Sequence, residues 1–220
     1  MAKPLYWYLV TRPGTLSISL TPVLVGTSLA WAESGQFSWQ AALAALTATL
    51  LLQISTNLAN TAPGNPLAHS SNSELFTFLM FGLLAVMGSY YLQTHDLSLN
   101  SLFAACAIGL QASAIRLVEN YQDLGRGRRA NRFSLASYLG KQRSQTLYSS
   151  LLLLPFLVLL PILFFRPVAG ISLVILSPTI RMIRFFCDAQ VGPGFNRILT
   201  GTASLQLIFG LALSIGLLFG

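Results

Sequence analysis

Long apolar stretches recur along this chain, and they constrain its fold more than any other feature of the sequence. An α-helix needs about 20 apolar residues to cross the hydrocarbon core of a bilayer. Runs of this kind follow one another with short polar stretches between them. They predict an all-α, polytopic transmembrane bundle of about seven spans, at residues 14–32, 40–58, 75–93, 99–118, 146–165, 168–185 and 198–219.

The composition excludes a water-soluble fold. Hydrophobic residues make up 54% of the 220 residues and charged residues 9%, whereas soluble domains carry about 25% charged residues. Most of the surface must therefore face lipid, and residues 1–220 are predicted to form a single transmembrane domain. The formal charge of +7 fits loops beside anionic headgroups better than a nucleic-acid partner.

The positive charges predict the orientation of the bundle. With seven spans, Arg166 lies on one side of the membrane. All other basic residues lie on the opposite side: Lys3, Arg12, Arg116, Arg126, Arg128, Arg129, Arg132, Lys141, Arg143, Arg181, Arg184 and Arg197. Basic loops stay on the cytoplasmic side, so we expect a cytoplasmic N-terminus. Adding or removing one middle span would scramble this asymmetry, which supports the count of seven.

The polar stretch after the fourth span contains candidate site residues. If the helix continues past residue 118, Arg116, Asn120 and Asp123 share one face, at positions i, i+4 and i+7. A carboxylate beside an amide oxygen suits Mg²⁺, and Arg128 and Arg132 just beyond suit a diphosphate. In the alternative interpretation, the basic loop only fixes orientation and the aspartate pairs with the arginines.

Two further patterns have both a functional and a structural interpretation. Asn57 and Asn60 lie three residues apart at the end of the second span, where they could line a site or form interhelical hydrogen bonds. Glycines within the spans predict close helix packing; they are Gly82, Gly88, Gly109, Gly201 and Gly210.

Several motifs, in order along the chain, resemble the UbiA superfamily of membrane prenyltransferases. They are RPGTL at 12–16, LLQISTNLAN at 51–60, ELFTFLMFGLLAVMGSYYLQT at 74–94 and ENYQD at 119–123. The resemblance is strongest to the enzymes that prenylate 1,4-dihydroxy-2-naphthoate in menaquinone and phylloquinone synthesis. It covers nearly the whole chain.

The resemblance implies a transferase that moves a prenyl group from a prenyl diphosphate to an aromatic quinone precursor. It implies an integral protein of a bacterial plasma membrane or a thylakoid-type membrane, in contact with lipid. By resemblance, Asp123 and Asn120 are the catalytic residues and hold Mg²⁺. The implied substrate-binding residues are Arg116, Arg128, Arg132, Lys141, Asn57, Asn60 and Arg12.

The chain also departs from the family pattern. Thr61, Ala62 and Pro63 stand where the carboxylates of the first Asp-rich motif are expected, and Gly127 replaces the second acid of the second motif. The family has about nine helices, so we expect an internal deletion of two helices after Asn60. Two alternatives to a working enzyme stay open: an isoprenoid- or quinone-binding membrane protein without turnover, and the product of a damaged gene.

Overall fold

A computed structural model of the chain describes residues 17–61, 72–126, 135–189 and 195–220, without the side chains of residues 60, 61 and 123–126. Within these ranges the chain forms helices and no strand. The helices are α1 Ser17–Ser34, α2 Trp39–Thr61, α3 Ser73–Thr94, α4 Leu99–Arg126, α5 Leu135–Phe165, α6 Pro167–Asp188 and α7 Phe195–Leu218. The predicted all-α transmembrane bundle is confirmed.

Six of these helices, α2 to α7, are long and apolar enough to cross a membrane. α1, with 18 residues, is not among them, and most of its side chains are buried in the bundle. Large apolar side chains such as Trp39, Leu43 and Phe164 are exposed on the outer surface. Lipid is the medium in which such a surface is stable, so the chain is an integral membrane protein.

Several helix ends differ from the predicted spans because polar residues continue the helices beyond their apolar parts. α4 ends at Arg126 instead of residue 118, and α5 begins at Leu135 instead of residue 146. Gly140 interrupts α5 with a positive φ of 72°, a conformation that glycine adopts readily. α6 opens with a 3₁₀ segment, Pro167–Ile175, before it becomes α-helical.

α4 lies at the centre of the bundle. In the most apolar 18-residue stretch of α4, 72% of the residues are buried, whereas the corresponding stretches of α6 and α2 are 17% and 22% buried. Ile108 of α4 packs with Val25 of α1, Val86 of α3 and Phe209 of α7 in one buried cluster. α4 is therefore in contact with α1, α3, α5 and α7.

The backbones of α3 and α4 approach closely at a pair of glycines. A Cβ atom added to Gly82 would lie 2.5 Å from the Cα atom of Gly109. Gly82 belongs to the π-helical middle of α3, Phe78–Met87. Small residues allow such approaches between membrane helices, and this contact sets the position of α3 on α4.

Candidate functional site

One end of the bundle brings together the termini of five helices: Ser73, Arg126, Leu135, Asp188 and Phe195. We call it the site end. Its contacts reach between elements far apart in sequence. Gln122 of α4 donates a hydrogen bond to Asn196 of α7 (2.9 Å), and Gln145 of α5 donates one to the carbonyl of Cys187 in α6 (2.8 Å).

A buried polar cluster joins α4 to the first turn of α3 at this end. The side-chain amide nitrogen of Asn120 donates to Oε1 of Glu74 and to Oγ of Ser73, each at 2.8 Å. Ser73 Oγ in turn donates to Oε2 of Glu74 at 3.1 Å. Glu74 is 5% exposed and Asn120 is 7% exposed, so these hydrogen bonds are screened from water.

Two features offset the cost of burying the Glu74 carboxylate, which would be large for an unpartnered charge. Both of its oxygens accept hydrogen bonds. It also stands in the first turn of α3, where the partial positive charge of a helix N-terminus favours an anion. The backbone of this turn is tied to α4 as well, because Ser113 donates to the Glu74 backbone carbonyl at 2.9 Å.

Arg116 lies one helical turn before Asn120. Its guanidinium forms an ion pair with Glu119 at 2.8 Å, and the side chains of the two residues are 12% and 14% exposed. α4 is helical to Arg126, so the predicted arrangement of residues 116, 120 and 123 along one face of a helix is confirmed for the backbone. The side chain of Asp123 lies outside the described residues.

Stacked aromatic rings fix the helix ends next to this cluster. Tyr121 of α4 lies 5.0 Å from Phe186 of α6 and 5.4 Å from Phe195 of α7, measured between ring centroids. Tyr148 of α5 stacks on Phe186 at 4.2 Å, and its hydroxyl is 2.7 Å from that of Thr202. The four rings are almost fully buried, so the site end is held by a rigid apolar core.

Of the other predicted site residues, the structure describes the side chains of Asn57 and Lys141. Asn57 is buried in α2, which packs mainly against α1 and α3. Lys141 is exposed and follows the break at Gly140. The side chains of Arg12, Asn60, Asp123, Arg128 and Arg132 fall outside the described residues, so their predicted roles stay predictions.

The sequence prediction missed Glu74 and Ser73 as site residues. Glu74 was placed at the end of the polar stretch just before the third predicted span, and its pairing with a residue 46 positions later is not visible in the sequence. An acidic residue beside an otherwise apolar span was the available signal, because such residues in membranes are costly and commonly functional.

Oxygen donors of the kind that Mg²⁺ prefers are present at the site end. Both N–H groups of the Asn120 amide are used by Ser73 and Glu74, which leaves its carbonyl oxygen as the part that can bind a cation. Within the described part of the chain, no three His, Cys, Asp or Glu side chains form a metal-binding group. The oxygen atoms at the site end are thus of the kind that binds Mg²⁺. Asp123 would add a carboxylate, although its side chain is not among those that the structure describes.

A second Asn–Glu pair, which is partly buried, lies at the opposite end of α4. Asn100 donates to Oε1 of Glu33 in α1, and Tyr90 of α3 donates to Oε2, both at 2.6 Å. Arg166 also reaches this end, where it donates to the carbonyl of Ala32. This Asn–Glu pair is the structural counterpart of the pair at the site end.

A sequence model described as the UbiA prenyltransferase family matches residues 65–188, more than half of the chain. This range includes Glu74, Arg116, Asn120 and Asp123. It runs from the segment before α3 to the end of α6.

The names of curated relatives agree with this family match. A protein of Mycobacterium leprae named 1,4-dihydroxy-2-naphthoate octaprenyltransferase is 25% identical over 79% of this chain and 60% of its own length. One of Haemophilus influenzae with the same name is 28% identical over 77% of this chain and 56% of its own length. The human UbiA prenyltransferase domain-containing protein 1 is 34% identical over 66% of this chain and 42% of its own length.

The chain thus spans about three fifths of the length of the Mycobacterium leprae relative and somewhat less of the Haemophilus influenzae relative. The alignment with a relative of the same name from Escherichia coli runs over 224 residues, yet it includes 67% of these 220 residues. That relative therefore contains residues within the aligned region that have no counterpart here, in agreement with the expected internal deletion. With a matching family model over residues 65–188, this chain belongs to the UbiA prenyltransferase family.

Proposed function

We propose that this chain transfers a prenyl group from a prenyl diphosphate to an aromatic quinone precursor such as 1,4-dihydroxy-2-naphthoate. The observation that carries the proposal is the buried Asn120 amide, held by Glu74 and Ser73 one turn from Arg116. A membrane helix that ends in an oriented amide, a carboxylate and a guanidinium has the groups needed for a metal-bound diphosphate.

The names of the bacterial relatives support the acceptor. Proteins from Mycobacterium leprae, Haemophilus influenzae and Escherichia coli are named for the transfer of an octaprenyl group to 1,4-dihydroxy-2-naphthoate. We extend this substrate pair to the present chain, with a role in menaquinone synthesis.

In this mechanism the residues of α4 and the basic residues that follow it bind and orient the diphosphate. Arg116, Arg128, Arg132 and Lys141 supply positive charge, while Asn120 and Asp123 would hold Mg²⁺. Bound Mg²⁺ would neutralise the charge that develops on the leaving diphosphate. The bond between the allylic carbon and the diphosphate oxygen breaks, and diphosphate leaves. The acceptor ring carbon then forms the new carbon–carbon bond and releases its own substituent, which is a proton or, at the carboxylated carbon, CO₂.

The same proposal places the site end at the cytoplasmic side of the membrane. Among the described residues, the site end and its neighbouring turns carry Arg116, Lys141, Arg143 and Arg197, whereas Arg166 lies near the opposite end. Basic residues remain on the cytoplasmic side. A cytoplasmic N-terminus in a bacterial plasma membrane or thylakoid-type membrane follows, with the isoprenoid chain against the apolar helices.

A second candidate is an isoprenoid- or quinone-binding protein that does not turn over. Gly127 at the expected second acid favours it. With few carboxylates, Mg²⁺ would bind more weakly than at a site with a full acid set.

A transfer assay separates the two candidates. Purified protein in detergent is given a labelled prenyl diphosphate and 1,4-dihydroxy-2-naphthoate, with Mg²⁺ or with EDTA. We expect Mg²⁺-dependent product that Asp123→Ala abolishes, whereas Asp96→Ala at the opposite end retains it. Binding of the prenyl diphosphate without any product from folded protein would favour the second candidate.

A further inference from the structure

We infer that Glu74 is a positioning residue, which orients the amide of Asn120 so that its oxygen faces the metal–diphosphate. The inference rests on the proposed function. It adds a residue that the two Asp-rich motifs do not contain, and it assigns a role to the buried carboxylate at the start of α3.

The hydrogen bonds of the Asn120 amide fix its orientation. A carboxylate only accepts hydrogen bonds, and an amide carries its two donors on nitrogen. The nitrogen of Asn120 must therefore face Glu74 Oε1, at 2.8 Å, and its second hydrogen is used by Ser73 Oγ, also at 2.8 Å. If Glu74 lost its charge, the amide could turn over and present nitrogen, which repels a cation, instead of oxygen.

Burying the carboxylate of Glu74 costs stability. Glu74 is 5% exposed, and a buried carboxylate is not favoured over an apolar side chain on stability alone. Ionisable residues inside membrane proteins are therefore functional candidates. Glu74 also contributes a fixed negative charge beside the place where a divalent cation is proposed to bind.

The two ends of α4 each carry an Asn–Glu pair, and the two pairs can be compared. Asn100 and Glu33 form a hydrogen bond of the same type at the opposite end, at 2.6 Å. If an Asn–Glu pair only joined helices, neutralising either glutamate would affect stability and nothing else. The inference predicts a difference between them: the pair at the site end also controls cation affinity.

The test compares Glu74→Gln, Ser73→Ala and the matched control Glu33→Gln with the wild-type chain in detergent. Binding of Mn²⁺ is titrated by electron paramagnetic resonance in the presence of a thiolo analogue of geranyl diphosphate that does not ionise. Thermal unfolding is recorded for each variant. No turnover is needed for either readout.

Loss of a residue that orients a metal ligand weakens metal binding about 10- to 100-fold. We expect a weakening in this range for Glu74→Gln, a smaller one for Ser73→Ala and unchanged affinity for Glu33→Gln. Glu74→Asp, which keeps the charge on a shorter side chain, should recover part of the loss.

The outcomes are distinguishable from a failure of the proposed function. If the wild-type chain binds Mn²⁺ with the analogue and folded Glu74→Gln binds it equally well, the inference is wrong and the proposed function stands. If the wild-type chain binds neither, both are overturned. Should Glu74→Gln not yield folded protein, Glu74→Asp decides, because wild-type affinity in that variant, whose shorter side chain cannot hold the amide in the same place, contradicts a positioning role for Glu74.

Discussion

At the residue scale, the glycines show what a sequence can and cannot predict about packing. Close packing was predicted for five span glycines. It is confirmed for Gly82, Gly109, Gly201 and Gly210, where an added Cβ would lie within 3.0 Å of another atom. Gly88 has nothing within 4 Å, so the prediction was wrong there. Residue size is visible in a sequence, but the direction that Gly88 faces after the π-helical segment Phe78–Met87 is not.

Gly82→Ala is therefore expected to destabilise the bundle and Gly88→Ala is not. The new methyl group at position 82 would meet the backbone of α4, 2.5 Å from the Gly109 Cα, and the helices would have to separate. Overpacking of this kind costs about 1–3 kcal/mol. Thermal unfolding in detergent measures it, and equal melting temperatures for the two variants would contradict the close approach of α3 and α4.

The candidate site could be predicted only in part from the sequence. Asn120 and Asp123 were found because they follow one another along a single helix. Glu74 and Ser73 were missed because their contacts with Asn120 cross 46 and 47 positions. Local spacing identifies residues on one helix face, whereas contacts between helices need the tertiary structure.

Asn120→Asp tests the charge of this cluster. It would place a second carboxylate against Glu74, where an amide nitrogen now stands at 2.8 Å, and two buried acceptors without a shared donor should cost about 1–3 kcal/mol. The double variant Asn120→Asp/Glu74→Gln restores a donor–acceptor pair and should recover most of the stability in thermal unfolding. A single variant as stable as wild type would show that Glu74 does not act as a charged acceptor.

At the element scale, hydropathy located the helices but not their ends. The predicted fourth span stopped at residue 118, where apolar residues end, while α4 continues to Arg126. The extra turns contain Asn120, Tyr121 and Gln122, which contact α3, α6 and α7. Such contacts between helices stabilise polar helix ends. A search for apolar runs does not detect these contacts, so it places the helix ends too early.

The contact between α5 and α7 gives a prediction at this scale. The hydroxyls of Tyr148 and Thr202 lie 2.7 Å apart and are buried. A double-mutant cycle of Tyr148→Phe and Thr202→Val should give a coupling free energy of unfolding of about 0.5–1.5 kcal/mol. Tyr138→Phe, on an exposed side chain of the same helix, is the control and should change nothing. A coupling of zero would mean that the two hydroxyls are not bonded.

At the scale of the whole molecule, the apolar runs predicted seven spans and the distribution of charge supported that count. The described ranges contain seven helices. Six of them are long and apolar enough to cross a membrane, whereas α1 contains many small and hydroxyl-bearing residues. Its burial against α7 and α3 compensates for its modest apolarity.

The orientation of the bundle is tested by cysteine labelling in intact cells. In a chain with Cys106 and Cys187 replaced by alanine, single cysteines are placed at Lys141 and at Asp96. Both positions are exposed, at opposite ends of the bundle. We expect a membrane-impermeant reagent to label position 96 at once and position 141 only after lysis. The reverse pattern would place the site end outside the cell.

The central claim is that prenyl transfer takes place at the end of α4 that holds Asn120. The most direct measurement is Mg²⁺-dependent transfer by Asn120→Ala beside Asn100→Ala, two equivalent changes at the two ends of one helix, each removing a hydrogen bond to a glutamate. We expect the loss at position 120 to be about a hundred-fold or more, with position 100 within about two-fold of wild type at equal folded protein. Equal losses at both positions would contradict a site at this end.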